Sequence, residues 1–319
     1  MWIFLALLLP CFLVTVGRAQ DARPPMRRII DMHMHTQAPK APYAQDSAVA
    51  HAKRVLAKLD SLNVVLAVMS GPEHLLDVYA PLRSNRVLLA PGFPCPRGRD
   101  FSPGLPADSQ PDGYCLNSRR EFPDLGWLRQ QFRSGRFQAM GELTTQYAGV
   151  PYDDPRMMPY YALAEELDIP VAIHTSGGPS RTAQNCCPKF RLALGNPMGL
   201  EEVLVRFPRL RVQIMHGWPG EDLFSMLYQY PQLVVDLTPW PAIMSVPEFH
   251  EILRKYKEAG FLGRVMFGTD AGPDYISRIV AAYTDAMFLT PAELDGILCG
   301  NAERFLRRTG ICSGSTAPR

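Results

Sequence analysis

The sequence has almost no charge imbalance. Its 319 residues carry 33 Lys and Arg against 31 Asp and Glu, a formal net charge of +2, and no basic run exceeds a pair such as Arg27-Arg28 or Arg307-Arg308. Phosphate backbones are gripped by clustered cations, so the chain shows no nucleic-acid footprint. Also absent are a P-loop, a GxGxxG fingerprint and a GxSxG elbow, which argues against a nucleotide cradle and a serine nucleophile. The seven cysteines include no CxxC or CxxxxC spacing, so a thiolate zinc site is not expected. His250-Glu251 begins like a zinc-protease helix but lacks its second histidine; His250, His51 and His74 read as surface or structural residues.

Long apolar runs are missing as well, except at the start. Residues 2–16 are apolar apart from Thr15, are interrupted by Pro10, and end at Gly17-Arg18-Ala19. The run is short of the ~20 residues a membrane helix needs, and the small residues suit cleavage after Ala19. An uncleaved anchor or a buried N-terminal helix is the competing reading. The sequence thus predicts a signal peptide at 1–19, a mature chain of 20–319 that is secreted or periplasmic, and no stable membrane association after cleavage. Cys95, Cys115, Cys186, Cys187, Cys299 and Cys312 would remain in an oxidising compartment. Cys95 and Cys115 flank a Pro/Gly-rich stretch and are the expected disulfide pair.

From residue 28 onward, β-rich runs alternate with amphipathic helical stretches. Strands are expected at 28–31, 64–69, 87–90, 137–140, 170–173, 210–215, 233–237 and 264–267. Several are nearly all apolar, as parallel strands buried on both faces require. Helices are expected at 48–62, 155–167, 200–207, 220–230 and 246–260. This alternation implies either a closed (β/α)8 TIM barrel or a long doubly wound sheet. The polar residues decide between them. His33, His35, Glu142, His174, His216 and Asp270 fall at or just past the C-terminal ends of five strands. A barrel gathers those ends at one mouth, whereas an open sheet separates the first strand from the eighth. The long loops 91–122 and 175–197 follow strands and would cover that mouth.

The strongest local signal is Ile29-Ile30-Asp31-Met32-His33-Met34-His35. Strand alternation puts His33 and His35 on one side, where two imidazoles can reach one cation. His174 and His216 each end an apolar strand and are followed by small residues; either alone could be an ordinary half-buried histidine. Asp270 could hold metal and take a proton from water, or simply cap a helix. Glu142 could bridge a second cation or pair with a loop arginine.

Asp31-Met32-His33-Met34-His35, Gly141-Glu142, His174, His216-Gly217, Gly268-Thr269-Asp270 and Gly300-Asn301-Ala302-Glu303-Arg304 run in the order of the amidohydrolase superfamily. The chain resembles its amidohydrolase-related branch of metal-dependent hydrolases and decarboxylases. The resemblance implies a distorted barrel with His33, His35, His174 and Asp270 as metal ligands. It implies a catalytic His216 in single-metal members, or a second ion bridged from the Glu142 position in two-metal members.

The expected reaction on a small-molecule substrate is hydrolysis of a C–N or C–O bond by metal-activated water. Asp270 would be the base and His216 the acid or electrophile. Zinc suits the donor set best, with one or two ions, and manganese is feasible. Non-oxidative decarboxylation at the same site is the alternative, and a non-catalytic secreted binding protein the third reading. Tyr147, Trp218 and Trp240 follow strand ends and could line the pocket or pack on its rim. Arg181, with Arg119, Arg120, Lys189 and Arg191, could bind a substrate carboxylate or be solvated loop cations.

Overall fold

The computed structural model describes residues 26–36, 45–96, 115–116 and 121–314. The expected signal segment and Arg119 and Arg120 lie outside the described residues. Eight parallel strands follow in order: β1 Ile29–His35, β2 Val64–Gly71, β3 Val87–Pro91, β4 Met140–Leu143, β5 Val171–His174, β6 Val212–Met215, β7 Leu233–Asp236 and β8 Val265–Met266. Ladders connect β1 to β3 and β4 to β8, each strand beside its successor.

Backbone hydrogen bonds join the two sheets. Between β3 and β4, Gln138 N donates to Leu89 O and Thr144 N to Phe93 O, each at 3.0 Å. Between β8 and β1, Met32 N donates to Phe267 O at 2.9 Å, and Met34 forms a parallel bridge with Ala271. The sheet closes as a (β/α)8 barrel.

Closure explains the apolar character of the strands. One face fills the barrel with Ile30, Met32, Leu66, Val68, Leu88, Ala90 and Met266, and Phe305 and Leu306 from the C-terminal helical segment pack against the same cluster. The other face meets the helices. Helix Gln45–Ser61 buries Ala48, Ala52, Val55 and Leu59, a three-to-four-residue spacing that makes one apolar stripe. Helix Val246–Glu258 buries Phe249, Ile252, Leu253 and Tyr256. A reciprocal Ser245–Glu248 capping box starts it, and Gly260, at φ 77°, lies just beyond its end.

Two register shifts matter for the site. Asp31 pairs with Ala67 but Met34 with Met69, so β1 gains one residue over β2. Met140 pairs with Val171 and Leu143 with Ile173, so β4 gains one over β5. An extra residue reverses which side chains face inward. Ile30 and Met32 therefore fill the barrel while Met34 packs outside, and His33 and His35 turn to the mouth. In β4 the shift spans Gly141 and Glu142. Gly141 has φ 132°, and a Cβ there would collide with the carbonyl oxygen of Ala172, so only glycine fits.

The expected Cys95–Cys115 disulfide is not formed. Both cysteines are buried, and the loop ends are held instead by backbone bonds from Cys95 N to Glu121 O and from Leu116 N to Gly92 O, each 2.8 Å. Cys299 and Cys312 form a disulfide with Cα atoms 5.8 Å apart, and the adjacent Cys186 and Cys187 are also joined. The first of these pins the segment after the last helix to the cluster inside the barrel. Cys312→Ser should lower unfolding free energy by about 3 kcal/mol in the chain-entropy view of a loop this short. Denaturant titration of both proteins measures it, and an unchanged midpoint would show that the bridge contributes nothing.

Candidate metal centre

Six side chains expected at the mouth meet there. Nε2 of His33 and of His35 lie 3.2 and 3.1 Å from Oδ1 of Asp270, and 3.7 and 3.4 Å from Oε2 of Glu142. Four donors around one tetrahedral ion at ~2.0–2.1 Å sit about 3.3 Å apart, so this spacing fits a cation. A second group lies beside it. Oε1 of Glu142 is 2.6 Å from Nδ1 of His174 and 3.5 Å from Nε2 of His216, and those two nitrogens are 3.1 Å apart. His174 thus sits with His216 rather than with His33 and His35, and no arginine pairs with Glu142 among the described residues.

Hydrogen bonds around the rim set the tautomers. A carbonyl oxygen can only accept, so His174 donates from Nε2 to Gly177 O at 2.9 Å, and His216 donates from Nδ1 to Thr238 O at 2.8 Å. In the neutral rings the remaining lone pairs then face each other and Glu142. His33 follows the same logic. Its Nδ1 lies 3.2 Å from Oδ2 of Asp236 and 2.9 Å from Oγ1 of Thr238, whose own proton goes to Oδ1 of Asp236 at 2.5 Å. His33 must therefore donate from Nδ1. Its buried Nε2 has no hydrogen-bond partner among the described residues, although a carboxylate is close. His35 Nδ1 lies 2.9 Å from Ser70 Oγ, which can accept its proton. A buried, unpartnered imidazole lone pair facing carboxylate oxygens is what a cation site presents.

Electrostatics agree. Burial disfavours every charge here, yet Asp236 and Asp270 overcome it and hold His33 well above its ordinary pKa. Burial also works against charge on His216, but Asp270 and Glu142 raise it. Glu142 stays well below the usual carboxylate range despite burial, through His174, His216 and His33; Asp270 does so through His33 and His216. The field favours positive charge where ring nitrogens meet carboxylate oxygens.

The backbone carries strain at the same points. His216 and Asp270 have φ of 62° and 57°, a left-handed conformation that costs non-glycine residues on the order of 1–3 kcal/mol. Asp270 N donates to His33 O at 2.6 Å and Gly217 N to Asp236 O at 2.8 Å, which hold both turns.

Several functional positions were not singled out from the sequence. Asp236 is fully buried and also accepts from Gln213 Nε2 at 2.8 Å. Its signal was present: a carboxylate closing the apolar Leu233-Val234-Val235, the pattern already noticed at Asp270. Thr238, Gln213 and Ser70 had no such signal. Of the expected pocket residues, Tyr147 packs its ring 4.9 Å from His174, and Trp218, 49% exposed, meets Trp240 edge-on at 5.0 Å. Arg181, Lys189 and Arg191 are exposed in the loop after β5, and among the described residues Arg191 bonds only backbone carbonyls.

Asp236→Asn should keep the fold and lower metal affinity by about 10–100-fold, because the amide loses the charge that orients and polarises His33. Metal content after competition with a graded chelator reads this out. Wild-type retention would remove Asp236 from the centre's support.

The family model for amidohydrolases matches residues 127–308, more than half of the chain. No curated protein matches it. Solved structures similar to it include a probable 2-pyrone-4,6-dicarboxylic acid hydrolase from Acinetobacter baumannii with citric acid bound, at 15% identity and TM-score 0.54, covering 88% of this chain and 99% of that one. A variant of 5-carboxyvanillate decarboxylase from Novosphingobium aromaticivorans with bound manganese matches at 14% identity and TM-score 0.52, covering 88% and 97%. Dihydroorotase from Campylobacter jejuni matches at 15% identity and TM-score 0.53, covering 89% and 85%. At these identities the structural likeness speaks for the fold, whereas the matched family model speaks for the lineage. Together with the barrel and its mouth of histidines and carboxylates, it shows that the chain belongs to the amidohydrolase family, a family of metal-dependent enzymes.

Proposed function

We propose that the protein hydrolyses a C–N or C–O bond, in an amide, lactone or ester, at a centre of two divalent cations. The observation that carries this is the split of one carboxylate: Glu142 turns Oε2 toward His33, His35 and Asp270, and Oε1 toward His174 and His216. Two sets of lone pairs share a bridging residue. Four imidazoles and two carboxylates favour zinc, with manganese feasible.

When bound, such a cation lowers the pKa of water toward ~7 and polarises a carbonyl. The protein supplies the rest. The Asp270 side chain is 22% accessible against 0–6% for its neighbours, so it is the charged group that a substrate reaches. Its Oδ1 faces His33 and His35, and its Oδ2, 4.0 Å from His216 Nδ1, is free to accept a proton from the attacking water. Thr238 O holds His216 with Nε2 toward His174, which supports a role for that ring in the second cation set rather than in acid catalysis. Tyr147 packs against His174, and Trp218 and Trp240, which follow the C-terminal ends of β6 and β7, pack edge-on against each other. The Cys299–Cys312 disulfide supports the exported setting expected from the first nineteen residues.

Three variants test this reading against a panel of lactones, amides and carboxylic acids. His33→Ala should lose at least one ion and nearly all turnover. Asp270→Asn should keep part of the metal while turnover falls by about 10²–10⁴-fold, as loss of a general base predicts. His216→Ala should lose one ion of two; unchanged metal content with lost activity would mean a single ion and a catalytic His216. Carbon dioxide released from a carboxylic acid, with no hydrolysis in the panel, would assign the site to decarboxylation instead.

A further inference from the structure

The opposite end of the barrel carries a cavity of about 590 Å³ at the N-terminal ends of β5 to β8. That volume lies within the range of small-molecule sites. Its lining is strongly cationic: Arg209, Arg211, Arg264, Arg304 and Arg307 face it, against only Glu165 and Asp168. The two carboxylates are already engaged. Glu165 pairs with Arg209, and Asp168 is shared by Arg211 and Arg307. Arg264 and Arg304 reach no carboxylate within ion-pair distance among the described residues. Arg264 donates only from Nη1, to the carbonyls of Tyr230 and Leu233 at 3.3 and 2.9 Å, and Arg304 bonds Asn301.

We propose that this cavity binds a polyvalent oxyanion, a phosphate or sulfate ester, independently of the metal centre. Guanidinium groups present paired donors whose geometry matches tetrahedral oxyanions, and Arg264 keeps its remaining nitrogens for such a ligand. Burial lowers the pKa of Arg264, so this cation is partly stripped of water, and an anion alongside would restore the lost stabilisation. A monovalent ligand would leave the excess positive charge only partly balanced. A ligand with two or more negative charges matches it.

Inorganic pyrophosphate is the probe, titrated calorimetrically into the full chain. Saturable binding is expected at one site per chain, equal in wild type and in His33→Ala, and weakened at least tenfold in Arg264→Gln/Arg304→Gln. Because Arg264 also ties two carbonyls, Arg304→Gln/Arg307→Gln, at exposed positions, serves as a second variant and should weaken binding several-fold with an unchanged melting temperature. A sulfated disaccharide titrated in parallel separates the two sources, the tighter ligand naming the ester. Absence of saturable binding, wild-type affinity in both double variants, or loss of binding in His33→Ala would overturn the proposal.

Discussion

The short last strand is closed against the first by a few backbone hydrogen bonds and one buried carboxylate. Asp31 accepts from Thr269 Oγ1 at 2.8 Å, from Thr269 N at 3.2 Å and from His33 N at 3.1 Å, while His33 O accepts from Thr269 N and Asp270 N. β8 spans only Val265–Met266 and pairs with β7, so few ladder bonds are available to complete the barrel. The same knot sets where His33 and Asp270 stand. Fold closure and site assembly are therefore one event: an altered Asp31 would loosen the seam and misplace two of the groups at the mouth. Gly268 shows how tight the seam is, since a Cβ there would come within 2.8 Å of the His33 Cβ.

Burying so many ionisable groups is costly unless each is paired and oriented. The barrel meets that cost with a relay behind the histidines. Gln213 on β6 and Thr238 after β7 hold Asp236, and Asp236 and Thr238 hold His33; Ser70 on β2 meets His35. Gln213, Asp236 and Ser70 lie on strands, and Thr238 stands two residues past one. A site mounted on rigid, largely buried strands needs little reorganisation when charge develops in a reaction. The loops beyond contribute covering surfaces, with Tyr147 against His174 and Phe190 at 5.3 Å behind it.

The two ends of the barrel have opposite characters. The mouth gathers carboxylates and imidazoles in a buried cluster that favours cations, and the N-terminal end gathers arginines in an open cavity. A net charge of only +2 hides this separation, because the two populations cancel in composition and not in space.

Much of this was determined by the sequence alone. Apolar runs of strand length, each followed by a helical pattern, specified eight parallel strands, because parallel strands buried on both faces admit little else. The polar residues ending those runs named His33, His35, Glu142, His174, His216 and Asp270, since strand ends converge only in a barrel. What the sequence could not express is whatever depends on an extra residue in a register or on a partner far along the chain. The bulges in β1 and β4 decide that His33, His35 and Glu142 face the mouth, and β4 runs Met140–Leu143 rather than the expected 137–140. The grouping of His174 with His216 rests on Gly177 and Thr238 carbonyls, which carry no side-chain signature. Cysteine pairing likewise followed proximity in space: Cys299 meets Cys312, whereas Cys95 and Cys115, bounding the loop that looked most in need of a staple, stay buried without one. Periodicity and composition are local properties, while tautomers, registers and disulfides are set by which atoms the closed barrel brings within reach.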